Sequence, residues 1–577
     1  MTAILGVNCF SHDTSACLLV DGAVVAFAEQ ERFNRQQHTK DFPDDAIGFC
    51  LREAGITTAE VDLVAFAQHP GLDFLRGAGD ALARAAPKRL AAQAYTDARL
   101  VLKERSFRRR WDYRGPVVHV GHHQAHAASA FFASPFDRAA VLTLDRGGDF
   151  LSTTLGVGQG NRLDTLAQVR NPHSLGEVYT AFTWFLGFRP NADEGKVMGL
   201  APYGSDCLTP PVGDLLRLTG DGSFKVNLRW FRYQREGPWF SSRFTKRFGP
   251  PRRPESEITQ RDRDLAFAVQ DLVETAGLHV ARALHAATGL TNLCLAGGVA
   301  LNSVMNARLL HEAGFEHIFV QPAASDAGNA LGAALWVWHE QLGRPRGWVM
   351  DHAFWGPGYR EREQADALRT AGLPVRKVAD PEAEAARRLA QGKVVGWFQG
   401  RAEVGPRALG ARSILADPRR AEMKDVVNAR VKRREGFRPF APSVLHERGR
   451  EYFERYYPTP FMLLVLPVRP DKREVIPAVT HVDGTGRLQS VTPQFNPGFY
   501  RLISEFDRLT GVPVVLNTSF NLRGEPIVHR PEHAVSDFLA SEMDALFLGP
   551  FVVDKAADRR DGRATEAAVG THALPQA

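Results

Sequence analysis

The opening of the chain, "AILGVNCFSHDTSACLLVDGAVVAFAEQER", sets apolar runs against a polar turn at Phe10–Ser15 and a second turn at Asp21-Gly22. Runs this short, cut by turn residues, predict strand, turn, strand, tight turn, strand. The device returns in "AAVLTLDRGGDF", an apolar strand expected to end at Asp145 in a glycine turn. An apolar strand followed by an Asp-bearing turn, at Asp13 and again at Asp145, constrains the fold more than any other feature.

Elsewhere strands alternate with helices. "PVVHV" reads as a strand leading into "GHHQAHAASA". "TNLCLAGGVALNSVMNARLL" reads as strand, Gly-Gly turn, helix, and "IFVQPAASDAGNALGAALWVWHE" repeats that order with Asp326 near the helix start. "DLAFAVQDLVETAGLHVARALHAATG" has apolar residues at helical spacing and stops at Gly289. "AAPKRLAAQAYTDARLVLKERSFRRRW" reads as helix, and residues 205–263 as loop around "FGPPRRPESE". This alternation is α/β. A duplicated strand–turn unit is how actin-like folds set two loops around a nucleotide or acyl phosphate.

At 577 residues the chain is too long for one core. A boundary is expected near 342–359, giving domains at 1–345 and 346–555 and a disordered tail at 556–577. Lys+Arg 71 against Asp+Glu 65 leaves +6, a mild excess that suits anionic small molecules as well as nucleic acid. Five scattered cysteines without a CxxC, and no signal peptide, point to a reducing cytoplasm. No segment reaches the ~20 apolar residues of a membrane span.

In "GHHQAHAASA" a helix puts His122 and His126 on one face and turns His123 away. Locally, packed histidines and a metal pair both stand. With Asp145 and Asp326 the donor set would suit iron, manganese or zinc better than calcium or magnesium, although Asp326 alone also reads as a helix N-cap. "EGKVMGLAPYG" offers Lys196 among small residues. Further on, "GRAEVGPRALGARSILADPR" carries Arg401, Arg407 and Arg412, "NARVKRREGFRPFAPSV" adds Lys432 and Arg438, and "HVDGTGRLQSV" adds His481 and Arg487. "VVLNTSFNLRGEPIV" sets Asn517, Thr518, Ser519 and Asn521 after an apolar strand. Fixed cations with exposed backbone N–H groups suit a polyanion. No GxxxxGK[ST] is present, so the site is not a P-loop.

Together "LGVNCFSHDTSACLLVDG", "HHQAHAASA", "EGKVMGLAPYG", "AGGVALN", "GPRALGARSIL", "FRPFAPSV", "HVDGTGRLQSV" and "LNTSFNLRGEPIV" resemble the NodU/CmcH carbamoyltransferases, in that family's order and to about residue 555. The resemblance implies an actin-like (ASKHA-type) N-terminal module and a YrdC-like C-terminal one. It implies carbamoyl-adenylate made from carbamoyl phosphate and ATP with Mg2+, then transfer to a hydroxyl of a small molecule such as an antibiotic or other secondary metabolite. His122, His126, Asp145 and Asp326 match the family's metal ligands, usually iron(II). Lys432, Arg438, Arg487 and Ser519 match its carbamoyl phosphate and adenylate site, with Arg407, Arg412, Asn517 and Asn521 as neighbours. His12, beside Asp13, matches the histidine facing the carbamoyl group. Lys40, Lys196, Gly297, Gly298 and Asn302 are expected around the transfer site.

Two departures bear on the acceptor. Gln37 stands where many members carry lysine, and Arg146 where glycine is common. The loops 70–115 and 205–262 are expected to shape the acceptor pocket. A homodimer is entertained, and neither nucleic acid nor membrane is expected as a partner. The rivals are a carbamoyl or threonylcarbamoyl transferase acting on RNA and a non-enzymatic actin-like ATP-binding scaffold.

Overall fold

The structure is a computed structural model, and it describes residues 1–69, 102–232 and 237–555. Most of the expected helix from "AAPKRL", most of the expected 70–115 loop and the expected 556–577 tail lie outside the described residues.

The opening thirty residues form three strands, β1 (Ala3–Asn8), β2 (Ser15–Val20) and β3 (Ala23–Glu29). With β4 (Leu63–Ala67) and β5 (Val117–Val120) they make a sheet in the order β3-β2-β1-β4-β5. β1 pairs antiparallel with β2 and parallel with β4. Every residue of β1 is buried, as in a strand covered on both faces. Alternate side chains serve different cores: Ile4 faces the main one, while Ala3, Leu5 and Val7 pack with Phe42, Ile47 and Phe107.

A second sheet repeats this topology. It is built from β6 (Arg138–Gly148), β7 (Leu151–Gln159), β8 (Arg162–Arg170), β11 (Asn292–Ala296) and β12 (His317–Val320), in the order β12-β11-β6-β7-β8. β6 pairs antiparallel with β7 and parallel with β11, matching β1. A small hairpin, β9 (Leu216–Leu218) and β10 (Phe224–Val226), lies between, so the expected 205–263 loop carries structure of its own, including a helix at Ser242–Phe248. The long helix Gln260–Thr288 ends at Gly289 in the left-handed conformation, as its sequence predicts.

The helix Asn329–Trp336 packs between the first sheet and the segment after β5. A Cβ on Gly6 of β1 would lie 1.9 Å from Ala330 O, and one on Gly332 would lie 1.8 Å from Ala125 O. Only glycine permits backbones to approach so closely.

The C-terminal region builds one nine-stranded mixed sheet. Its strands are β13 (Arg376–Lys377), β14 (Val395–Phe398), β15 (Arg412–Ala416), β16 (Ala441–Leu445), β17 (Leu464–Pro467), β18 (Thr485–Val491), β19 (Val514–Ser519), β20 (Ala545–Leu548) and β21 (Phe551–Asp554). The order is β13-β21-β20-β14-β15-β19-β16-β18-β17. The chain is thus mixed α/β. Among the described residues no helix is long and apolar enough to cross a membrane.

Candidate functional site

The histidine segment is helical over His122–Phe131. Gly121 has no side chain to cap it, and Asp149 from the β6–β7 turn accepts from His122 N at 2.6 Å instead. A Cβ on Gly148 would sit 2.3 Å from the His122 ring, so that turn closes directly onto the helix. His122 and His126 point to one place, with their Nε2 atoms 3.2 Å apart. Asp145 Oδ2 lies 3.0 Å from His122 Nε2 and 3.9 Å from His126 Nε2, and Asp326 Oδ1 lies 3.5 Å from each. One donor atom from each of the four falls within 4.8 Å of the others, all deeply placed.

Two local details differ from the sequence reading. Asp145 does not end a strand: it sits inside β6, where the pairing with β7 slips between Leu144 and Gly148. The slip frees its carboxylate to accept from Gly298 N (2.9 Å) and face the histidines. Asp326 is not an N-cap. Ser325 occupies that position, and Asp326 opens a short 3-10 turn.

Burial opposes charge on His122, but Asp326 and Asp145 hold its imidazole up at about 9. Asp145 is buried too, yet His122 and His126 keep its carboxyl well below the usual range. His123 faces away and takes Thr143 Oγ1 at 2.7 Å. Burial, then His122 and His126, push it down to about 3.

The first turn brings a second group together. His12 Nδ1 is 3.0 Å from Asp13 Oδ2, and His38 Nδ1 is 2.7 Å from Asp13 Oδ1. Ser325 Oγ donates to Asp13 Oδ2 (2.9 Å). Asn8 Nδ2 donates to the backbone oxygens of both Asp13 and Asp326, tying the first turn to the metal-type group. Burial alone would lower His12, but Asp13 outweighs it and raises the imidazole to about 9.

A cationic group comes from the C-terminal sheet. Arg407, Arg434, Arg438 and Arg487 line one wall, and burial followed by repulsion from neighbouring guanidiniums lowers the pKa of Arg407, Arg434 and Arg487. For Arg438 burial leads, and Glu435 and Asp193 partly offset it. The Nε atoms of Arg407 and Arg487 are buried with no hydrogen-bond partner among the described residues. Uncompensated buried donors of one sign form a site for an anion.

One cavity of about 490 Å³ joins these groups. His12, Asp13, Asp145 and Asp326 line it from the first two sheets, and Arg407, Arg438, Arg487, Asn517, Ser519 and Asn521 from the third. Gly298, Asn302 and Lys196 also face it, although Lys196 is already held by Glu435 (2.9 Å) and Asp193 (3.3 Å). Gln37 donates to Glu525 O at 2.9 Å, and Arg146 to Asn191 Oδ1 at 2.7 Å, both on the lining.

Some expected residues stand elsewhere. Arg412 does not reach the cavity. The two terminal nitrogens of its guanidinium donate to the carbonyls of Gln399, Ala411, Pro357 and Gly400, and the group lies 3.6 Å from the centre of the Phe398 ring, so backbone holds it away from the cavity although its Nε is buried without a partner among the described residues. Lys432 lies behind the wall. Its ammonium donates to Ser519 O (2.8 Å) and Asn521 O (2.7 Å) and laces the loop after β19. Burial, then Arg434 and Arg438, press its pKa far down. Gly297 supports the turn, with φ +95° and Leu144 O 2.2 Å from where a Cβ would stand. Lys40 is exposed and off the lining. The described parts of 102–115 and 205–262 do not line the cavity either; residues 176–202 do.

Arg434 and His38 escaped the sequence reading. Arg434 sits in the quoted basic run, but only the left-handed turn at Arg433 (φ 46°) shows which arginine points inward. His38 carries no distinguishing spacing at all.

Two family models match the chain in order, Carbamoyltransferase N-terminus over residues 3–335 and Carbamoyltransferase C-terminus over residues 386–555. The protein sll1178 of Synechocystis sp. is 44% identical over 601 residues, covering 96% of this chain and 97% of that one. Nodulation protein NolNO of Sinorhizobium fredii is 41% identical, over 95% of this chain and 80% of its own. Nodulation protein NolO of Bradyrhizobium diazoefficiens is 44% identical, over 76% and 79%. Among solved structures it is similar to full-length HypF, at 13% identity and TM-score 0.32, covering 60% of this chain and 56% of that one. Matched over most of its length by the N-terminal and C-terminal carbamoyltransferase models and by these relatives, the chain belongs to the carbamoyltransferase family and is a carbamoyltransferase.

Proposed function

We propose that this enzyme is an ATP-dependent O-carbamoyltransferase with two chemistries in one cavity. The observation that carries the reading is the continuity of that cavity between the arginine wall and the four-residue His/Asp group. The duplicated sheet topology supports an actin-like transfer module at 1–345, and we read 346–555 as a YrdC-like activating module.

Carbamate is a poor electrophile, so it needs a leaving group. Water cleaves carbamoyl phosphate into inorganic phosphate and carbamate, whose oxygen then attacks the α-phosphorus of ATP and displaces pyrophosphate to form carbamoyl-adenylate. Arg407, Arg434, Arg438 and Arg487 offset the phosphate charge, with Mg2+ travelling on ATP, and Ser519, Asn517 and Asn521 orient the acyl end. Lys432 acts by holding the loop of Ser519 and Asn521 in place.

In the transfer module, two imidazole Nε2 atoms facing each other at 3.2 Å beside two carboxylates fit a shared divalent ion. A bound iron(II), or another divalent transition metal, supplies Lewis acidity toward a carbamoyl or phosphate oxygen. His12 presents N–H to the carbamoyl oxygen, which takes the place of Asn191 O, now 2.8 Å from His12 Nε2. A small-molecule hydroxyl then attacks, and AMP leaves.

The test is ATP–pyrophosphate exchange that depends on carbamoyl phosphate, followed by an intact-mass screen of hydroxylated metabolites for carbamoyl addition. Exchange without carbamoyl phosphate, or none at all, would refute the reading.

A further inference from the structure

We infer that His38, held by Asp13, is the general base that takes the acceptor's proton, and that His12 serves only as a donor. This rests on the transfer reading above and deepens it.

Both ring nitrogens of His12 face oxygen acceptors, Asp13 Oδ2 at 3.0 Å and Asn191 O at 2.8 Å. A carbonyl and a carboxylate oxygen each require an N–H, so His12 carries two and has no lone pair to accept a proton. His38 differs. Its Nδ1 meets Asp13 Oδ1 at 2.7 Å, and among the described residues its Nε2 makes no hydrogen bond. A carboxylate at Nδ1 fixes the tautomer with hydrogen there and leaves the Nε2 lone pair free. The ring stacks on His12 with centroids 4.4 Å apart, lines the cavity, and is the more open of the two, 35% exposed against 24%.

The backbone supports the arrangement. Asp13 (φ 58°) and His38 (φ 57°) are both left-handed, a conformation held against its cost where surroundings demand it. Glu31 Oε2 accepts from His38 N at 2.9 Å and fixes that turn. One carboxylate therefore aims two imidazoles at one reacting group, one to donate and one to accept.

The step balances. The acceptor O–H proton moves to His38 Nε2 as its oxygen bonds the carbamoyl carbon. The bond from that carbon to the adenylate oxygen breaks, and AMP leaves with the electron pair. His38 then releases the proton to water.

Because the natural acceptor is unidentified, the probes are methanol and hydroxylamine, with supplied carbamoyl-adenylate and the iron(II)-loaded full chain. Methanol needs a base, whereas hydroxylamine attacks as a neutral amine without one. His38→Gln is expected to lower methyl carbamate formation about 10²-fold while hydroxyurea formation stays within twofold. Imidazole added to His38→Gly is expected to restore part of the methanol reaction. Carbamoyl-phosphate-dependent exchange reports that the variants are folded. Equal loss with both probes would make His38 structural, and unchanged methanol transfer would remove it from the reaction; either overturns the assignment. The same three side chains have donor atoms within 4.8 Å of one another, so a second ion is the competing occupant. Loss of one metal equivalent in His38→Gln also overturns it. If wild type carbamoylates neither probe, the transfer reading itself fails, an outcome distinct from all of these.

Discussion

The His/Asp group and the arginine wall face one cavity and are built on opposite principles. In the first, unlike charges satisfy each other: His122, His126, Asp145 and Asp326 are mutual partners within 4 Å. In the second, like charges are pressed together, and two guanidinium Nε atoms have no partner among the described residues. A self-satisfied group persists before its ligand arrives, whereas a frustrated one is completed by its ligand. The first suits a resident ion, the second a polyanion that enters and leaves each turnover.

The sharpest way to break this contrast is Arg487→Ala. Exchange dependent on carbamoyl phosphate is expected to fall about 10³-fold, while transfer from supplied carbamoyl-adenylate persists. Equal loss of both would show that the wall serves transfer as well.

His126→Ala is the counterpart. Metal content by elemental analysis is expected to drop toward zero and transfer to fall about 10²-fold, with exchange retained. Unchanged metal content would remove His126 from the ligand set.

A third expectation concerns the first turn. His12 is raised to about 9 by Asp13 against its burial, with Asp326 and the Asn191 carbonyl assisting. Its stabilisation is complete below the unfolded value of ~6.5 and is lost as pH rises through about 9, an effect of at most about 3 kcal/mol. Asp13, held far below its usual value mainly by His12 against burial, contributes above the unfolded value of ~3.9, and that contribution is lost only in strong acid. Urea melts from pH 6 to 9.5 should show the decline in wild type and a flattened one in His12→Gln.

The smallest effect has the opposite sign. Arg407→Met removes one of the crowded guanidiniums and is expected to raise stability by about 0.5–1 kcal/mol in a ligand-free thermal melt, at the cost of exchange. Destabilisation would mean that the wall is not frustrated.

Much of this was legible in sequence. The strand–turn device at Asp13 and Asp145 predicts two like sheets, and they share one strand order. The helical spacing of His122 and His126 predicts one shared face and turns His123 aside, as observed. The joint match of motifs such as "GPRALGARSIL" and "LNTSFNLRGEPIV", in order along the chain, points to the carbamoyltransferases, the family the comparisons show. Arg412 was not legible, because a conspicuous arginine in a glycine-rich run reads the same whether it meets phosphate or four carbonyls.

What the sequence determined by itself is local and periodic: strand and helix identity, the paired histidines, the inventory of cations. What only the tertiary structure decided is which side chains share a space. Asp145 reaches the histidines because the pairing of β6 with β7 slips at its position, and Asp326 because its turn is held by the Asn8 amide, which donates to Asp326 O from the far end of the domain; both depend on partners distant in sequence. His38 joins His12 across 26 positions, through an aspartate that serves them both. Spacing along a chain fixes faces of single elements, whereas convergence of elements is set by packing, and there the chemistry was assigned.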